Sequence, residues 1–173
     1  MNYETAKEIE VRIAKWFGIR KYVIVPNVSW GFLPYEADMI ILTSSSYVWE
    51  VEIKVSRGDL LRDRKKRHQH DGRMIRQVWF AIPEKLSHCI EHVPEKSGVF
   101  VVSKTGIVTQ VRRPSVNQYA LKLSEEQRFK VARLGALRVW SLKEKISKLA
   151  EANQTLAAEL RSERDRASSV YQD

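Results

Sequence analysis

The chain has 173 residues, of which 30 are Lys or Arg and 21 are Asp or Glu, so its formal net charge is +9. Hydrophobic residues make up 43% of the chain, which excludes a globally disordered protein. No stretch of 18 residues is continuously apolar, so the sequence predicts no membrane span. The single Cys89 excludes an intrachain disulfide and a cysteine-based zinc site. With a charged segment at residues 1–10 in place of an apolar signal core, these features predict a cytoplasmic protein.

The positive charge favours some classes of binding partner but does not identify one. An excess of Lys and Arg favours polyanions, because these side chains neutralise phosphates and release their counterions. A ribosome-associated protein, or a protein that is merely basic, would have the same net charge. The charge alone therefore leaves nucleic acid as one of several interpretations.

The first elements are a helix and a strand. Apolar residues at helical spacing, including Ile9 and Ile13, predict an amphipathic helix over residues 3–17 that ends at Gly18. The β-branched residues 21–25 predict a strand. A loop is expected over residues 26–34, which contain proline, asparagine and glycine.

A hairpin and a basic helix follow. Residues 38–42 and 47–55 are predicted strands, and the short polar segment between them predicts an antiparallel turn. Ser56, with Asp59 three residues later, is typical of a helix start, and a basic helix is predicted over residues 57–70. Further strands are predicted at 76–82, 99–103 and 107–112.

The last part of the chain differs in composition. After a first domain over residues 1–117, residues 118–173 are predicted to form a helical extension, rich in Ala, Leu, Glu, Lys and Arg. Its apolar residues recur near heptad spacing, interrupted by Asn153. Two interpretations remain open: a short coiled coil that joins copies of the chain in a homodimer or other assembly, or a single amphipathic helix on the domain. The apolar residues are Leu142, Ile146, Leu149, Leu156 and Leu160.

Four charged residues of the hairpin are candidates for chemistry. Side chains alternate faces along a strand, so Glu50, Glu52 and Lys54 share one face of the second hairpin strand. Asp38 opens the preceding strand, and the tight turn can place it beside Glu52 and Lys54. The alternative is a solvated cross-strand charge pair, which is what such a pattern on an exposed strand usually means.

This cluster suits hydrolysis of phosphodiesters. Asp38 and Glu52 supply the hard oxygen ligands that Mg²⁺ or Mn²⁺ prefers, and the carbonyl of Ile53 is a further candidate ligand. Such a metal lowers the pKa of a bound water, and Lys54 can orient that water or stabilise the phosphate. Glu50 is either a further ligand or the partner of a basic residue on a neighbouring strand.

On these residues the sequence resembles the PD-(D/E)XK nuclease superfamily. Asp38 stands at the first motif position, where Ala37 replaces the usual preceding proline, and residues 52–54 stand as (D/E)-x-K. Within the superfamily the chain is most similar to MmcB-type DNA repair proteins, and more faintly to archaeal-type Holliday junction resolvases. The similarity covers about residues 5–115, and it rests on residues 36–39, 49–56, 59–60, 63, 65, 78–83, 93–94 and 98–99.

The resemblance implies an α/β, restriction-endonuclease-like fold, with a central mixed sheet flanked by helices, and a DNA substrate. It also implies an acidic residue from the first helix, for which Glu4, Glu8 and Glu10 are candidates and Glu8 is preferred; a solvated helix face is the alternative. The basic run after Lys54 is a candidate surface for phosphate contacts, with a solvated helix face again as the alternative. Its residues are Arg57, Arg62, Arg64, Lys65, Lys66, Arg67 and Arg73.

Three functions are compatible with the sequence. The first is a Mg²⁺- or Mn²⁺-dependent DNA endonuclease in repair, recombination or a mobile-element or phage context. The second is a nuclease-like module that binds DNA or a partner without cutting it. The third is an assembly protein whose C-terminal helix is its functional part. Metal-dependent cleavage separates the first from the second, and truncation near Asn117 tests the third.

Overall fold

A computed structural model of the chain describes residues 5–28, 32–33, 35–63 and 73–170. Its helices are α1 (Ala6–Phe17), α2 (Arg57–Asp63) and α3 (Glu125–Val170), with a 3-10 helix at Glu84–His92. Its strands are β1 (Val23–Val28), β2 (Ala37–Leu42), β3 (Val48–Ile53), β4 (Ile75–Pro83), β5 (Gly98–Val102) and β6 (Val108–Arg112).

The six strands form one mixed sheet in the order β1-β2-β3-β4-β5-β6. The pairs β1–β2, β2–β3 and β5–β6 are antiparallel, whereas β3–β4 and β4–β5 are parallel. The predicted hairpin is confirmed, with Ile40 opposite Glu50. The predicted α/β class and the long C-terminal helix are confirmed as well.

Helix α1 covers one face of the sheet. Thr5 caps its first turn, and the spacing of Ile9, Ile13 and Phe17 places these three side chains in the core. They pack against alternate sheet residues, including Met39 and Val51. Gly18 ends the helix at a φ of 99°, a conformation that glycine adopts without the steric cost other residues incur.

The opposite face of the sheet has two further groups of buried residues. One of them includes Ile40 and Val48 of the sheet together with Val131 of α3. The other joins Phe80 of β4 to Leu60 of α2 and to residues of the 3-10 helix. Because both faces are covered, polar side chains in the middle strands lie in an apolar environment.

Strand β1 extends further than predicted. The loop was expected to begin at Pro26, but the strand continues to Val28, and Pro26 lies opposite Met39. Strand β1 is at the edge of the sheet, where a proline can be accommodated because its missing N–H can face away from the neighbouring strand. Of the basic helix predicted over residues 57–70, the structure shows residues 57–63 as α2. Residues 64–70 lie outside the described residues.

The chain divides into two compact units, Met1–Gly135 and Ala136–Asp173. The first unit extends beyond residue 117, because Leu123 and Val131 belong to its buried core. In the described part of the chain, no helix combines the length and apolar character needed to cross a membrane.

Candidate active site

The β2–β3 turn sets the position of the candidate site. The N–H of Thr43 donates to the carbonyl of Tyr47 (2.9 Å), and the N–H of Ser46 donates to the carbonyl of Thr43 (2.9 Å). Ser46 has a positive φ of 66°, which permits the tight reversal. The resulting register places the start of β2, with Asp38, beside the end of β3.

Asp38 is held against the end of β3 by a backbone hydrogen bond. The N–H of Ile53 donates to Oδ2 of Asp38 at 2.7 Å, a short distance typical of a bond to a charged carboxylate. This bond holds the Asp38 carboxylate at the backbone of Ile53, the residue between Glu52 and Lys54 in the sequence, and the Asp38 charge acts on Glu52. The structure therefore brings together all three residues of the predicted motif.

Glu52 and Lys54 form a buried ion pair. Nζ of Lys54 lies 2.6 Å from Oε2 of Glu52, and both side chains are almost fully buried. The Lys54 backbone extends the parallel pairing, since its N–H donates to the carbonyl of Ala81 (3.0 Å). These residues do not form the solvated charge pair that was the alternative interpretation, because neither charge faces water.

The second carboxylate oxygen of Glu52, Oε1, has different surroundings. Within the described residues, Oε1 of Glu52 is buried and accepts no hydrogen bond. Glu52 lies in register with Phe80, whose ring belongs to an apolar part of the core. Burial raises the pKa of Glu52 to about 7; the Lys54 charge opposes this shift, and the charges of Asp38 and Glu50 add to it.

Glu50 is paired with a tyrosine that the sequence analysis did not identify. The hydroxyl of Tyr35 donates to Oε2 of Glu50 at 2.8 Å, and Glu50 is fully buried. Burial and the charges of Glu50 and Glu52 raise the pKa of Tyr35, so its hydroxyl keeps the proton that it donates. The prediction had offered a metal ligand or a basic partner for Glu50. The only sequence signal for Tyr35 is its position three residues before Asp38.

The structure places two acidic residues of α1 in different settings. The Glu8 carboxylate accepts hydrogen bonds from the N–H (3.2 Å) and the hydroxyl (2.7 Å) of Thr5, which completes a capping box. Glu10, by contrast, accepts a bond from Asn27 (3.3 Å), and burial together with the Asp38 charge raises its pKa. Glu10 is thus an α1 carboxylate that interacts electrostatically with Asp38, and the role predicted for Glu8 stays a prediction.

The predicted basic surface is described only in part. Arg57 and Arg73 are exposed, and Arg62 is exposed beside Asp59 (3.6 Å). Ser56 caps α2, since its hydroxyl accepts from the N–H of Asp59 at 3.2 Å. This short helix follows β3 directly, so its exposed arginines are close in the chain to Lys54. Residues 64–67, which include the other predicted contacts, lie outside the described residues.

Comparison with known proteins identifies a similar fold. No family model matches the chain, and no curated protein matches it. A solved structure, the SPO1766 protein of unknown function from Silicibacter pomeroyi, is similar with a TM-score of 0.58. The match covers 82% of this chain and 91% of that one, at 18% sequence identity. At this identity the similarity establishes a shared fold alone.

Proposed function

We propose that this protein is a divalent-metal-dependent nuclease that hydrolyses phosphodiester bonds of DNA at Asp38, Glu52 and Lys54. The observation that carries the proposal is the Oε1 atom of Glu52, a buried acceptor without a donor among the described residues. An unsatisfied buried polar atom costs about 1–3 kcal/mol. A cation at this oxygen would offset that cost. The Glu52 carboxylate, which has the charges of Asp38 and Lys54 beside it, is suited to bind such a cation.

The residues present fit Mg²⁺ or Mn²⁺. Asp38 and Glu52 would hold the ion, with the carbonyl of Ile53 as a further oxygen ligand, and Mg²⁺ is commonly bound by one or two carboxylates plus water and phosphate oxygens. The described residues contain no group of three or more His, Cys, Asp and Glu side chains suited to a metal. The donors proposed here are two carboxylates and a carbonyl, the hard oxygen ligands that Mg²⁺ and Mn²⁺ prefer. When bound, the ion would activate a water and offset charge on the scissile phosphate.

The protein groups have separate tasks in this proposal. The Ile53 N–H orients the Asp38 carboxylate, which limits the rotamers available to it. Glu52 must lose its proton before it can act as a ligand, and its pKa of about 7 places this step near neutral pH. The Lys54 ammonium, now paired with Glu52, supplies positive charge for the attacking water or the phosphate.

DNA is the proposed substrate for two reasons. The chain has a net charge of +9, and Arg57, Arg62 and Arg73 are exposed around the segment that follows β3. The order of α1, the β2–β3 hairpin and the parallel β4 agrees with the restriction-endonuclease-like arrangement implied by the PD-(D/E)XK resemblance. The proposed motif includes the end of β3, where Asp38 of β2 accepts a hydrogen bond from the Ile53 N–H.

Cleavage of a substrate panel tests this proposal. Plasmid, linear duplex, single-stranded, flap and four-way-junction DNA are incubated with Mg²⁺, Mn²⁺ or EDTA. We expect metal-dependent cleavage by the wild type and its loss in Asp38→Asn and Lys54→Met. The matched control is Lys104→Met, which removes the same charge at an exposed position in the β5–β6 turn. Circular dichroism checks that each variant is folded.

A second function is supported by the mutual pairing of the site residues. Lys54 is bonded to Glu52, and Asp38 to the backbone, an arrangement that a folded but inactive module would also have. Such a module would bind DNA in a salt-sensitive manner and would cleave none of the panel. Cleavage that persists equally in Asp38→Asn and Lys54→Met would contradict the assignment of these residues.

A further inference from the structure

The second unit of the chain carries an apolar stripe along α3. Six hydrophobic side chains are spaced alternately by three and four residues, and the one interrupted position is Asn153. Each of the six is between 52% and 65% exposed, so the stripe is not buried within the single chain. The six are Val139, Leu142, Ile146, Leu149, Leu156 and Leu160.

The stripe consists of two sets of heptad positions, and the residue types differ between these two sets. In a heptad repeat, the a positions hold Val139, Ile146, Asn153 and Leu160, and the d positions hold Leu142, Leu149 and Leu156. β-branched residues at a, combined with leucine at d, favour two parallel strands over higher assemblies. A single asparagine at a reduces stability but selects the register and the number of strands.

We propose that residues 139–163 pair with a second copy of the chain in a parallel, two-stranded coiled coil. A parallel alignment in register places Asn153 against Asn153 of the other copy, where the two amides can hydrogen-bond across the seam. An antiparallel alignment pairs a positions with d positions, so Asn153 would face a leucine and its amide would be buried without a matching partner.

The flanking charges are compatible with this alignment near the carboxyl end. Glu159 occupies a g position and Arg164 the following e position, which face each other across a parallel pair. Near the amino end, Arg138 and Lys143 occupy the corresponding positions with like charges. The coil spans little more than three heptads, so this repulsion raises the concentration at which the dimer forms.

The proposal does not depend on the proposed nuclease function. It concerns residues of the unit Ala136–Asp173, whereas the candidate site belongs to the unit Met1–Gly135. An inactive protein could dimerise in this way, and an active nuclease could be a monomer. Failure of one proposal is therefore distinguishable from failure of the other.

Sedimentation velocity of the full chain over a range of micromolar concentrations tests the association. We expect a concentration-dependent equilibrium between monomer and dimer. The double variant Ile146→Lys/Leu149→Lys should be monomeric throughout that range. The control Ser147→Lys/Gln154→Lys adds the same charge on the outer face of the helix, at b positions, and should still dimerise. A wild type that stays monomeric, a trimer, or a dimer unaffected by the stripe variant would overturn the proposal.

Cysteine cross-linking of the full chain tests the orientation. In a parallel coil the two copies of Leu142→Cys lie side by side, within reach of a disulfide. In an antiparallel coil centred on the stripe, position 142 is level with 160 of the other copy. The two thiols would then be separated by 18 residues, about 27 Å along the axis.

We expect oxidation to cross-link Leu142→Cys into a covalent dimer. The outer-face control Glu144→Cys and the wild type, whose Cys89 is buried, should stay uncross-linked. Cross-linking of Glu144→Cys to the same extent, or none in Leu142→Cys under conditions where sedimentation shows a dimer, would refute the parallel arrangement.

Discussion

The raised pKa of Glu52 predicts a specific dependence of stability on pH. Burial displaces this pKa from its ordinary value of 4.5 to about 7. Between these two values the folded protein holds a proton that the unfolded chain releases. The contribution of Glu52 to stability is therefore fully present below pH 4.5 and is lost as the pH rises to about 7. At about 1.4 kcal/mol per pH unit, the loss is roughly 3 kcal/mol.

The variant Glu52→Gln isolates this effect, because glutamine does not titrate and has nearly the same shape. Urea unfolding, followed by tryptophan fluorescence in EDTA at several pH values, gives the free energy of unfolding of both proteins. We expect the variant to gain stability relative to the wild type as the pH rises from 4.5 to 7, by up to about 3 kcal/mol. Other titrating groups largely cancel in this difference.

The matched control is Glu84→Gln, which removes an exposed carboxylate in the same unit. Its free energy of unfolding should differ from that of the wild type by an amount that changes little with pH. If Glu52→Gln also showed a constant difference, or lost relative stability as the pH rises, Glu52 would not be a buried carboxylate with a raised pKa.

Two further predictions concern a buried hydrogen bond beside the site and a close contact between β4 and β5. Tyr35→Phe removes the donor to buried Glu50 and should lower the free energy of unfolding by about 1–3 kcal/mol in urea titrations. Adding Glu50→Gln should recover part of this loss, and equal losses with and without it would argue against the bond. Gly98→Ala places a Cβ 2.3 Å from a ring carbon of Trp79 and should destabilise the protein by about 1–3 kcal/mol. Gly58→Ala has no atom within 4 Å and should leave stability unchanged or slightly raised; similar effects of the two alanines would contradict this packing.

The core of the candidate site was predictable because it depends on local pattern. Strand alternation puts Glu52 and Lys54 on one face, and a tight turn brings Asp38 alongside, so three residues close in sequence suffice. The structure confirms the hairpin that brings them together. The burial of the pair was not predictable from the hairpin, since α2 and the 3-10 helix, which lie later in the chain, pack on this face of the sheet.

The interactions that the sequence did not predict come from outside the hairpin. Tyr35 reaches Glu50 from a loop, and Glu10 interacts with Asp38 from α1. Helical periodicity shows which α1 residues face the core, but not which acidic residue next to that stripe is turned toward a given strand. The capping box with Thr5 was visible in the sequence, and it accounts for the position of Glu8.

Differences in the secondary structure have similar causes. Pro26 indicated a break, but an edge strand accommodates it, and only the sheet order shows that β1 is an edge. The 3-10 helix at Glu84–His92 was not predicted, because its three residues per turn do not produce the 3.6-residue spacing that identifies an α-helix. The long α3 was predicted, since it contains no proline and is rich in strong helix formers.

Direct measurement of Mn²⁺ binding tests the central claim, that Asp38 and Glu52 form a metal site. Electron paramagnetic resonance of free Mn²⁺ is recorded in titrations of the wild type, Glu52→Gln and Glu84→Gln. We predict saturable binding by the wild type at pH 8, weaker binding at pH 6 where Glu52 is protonated, and none by Glu52→Gln, with Glu84→Gln like the wild type. Equal binding by the wild type and Glu52→Gln, or no binding by the wild type at pH 8, would contradict the account.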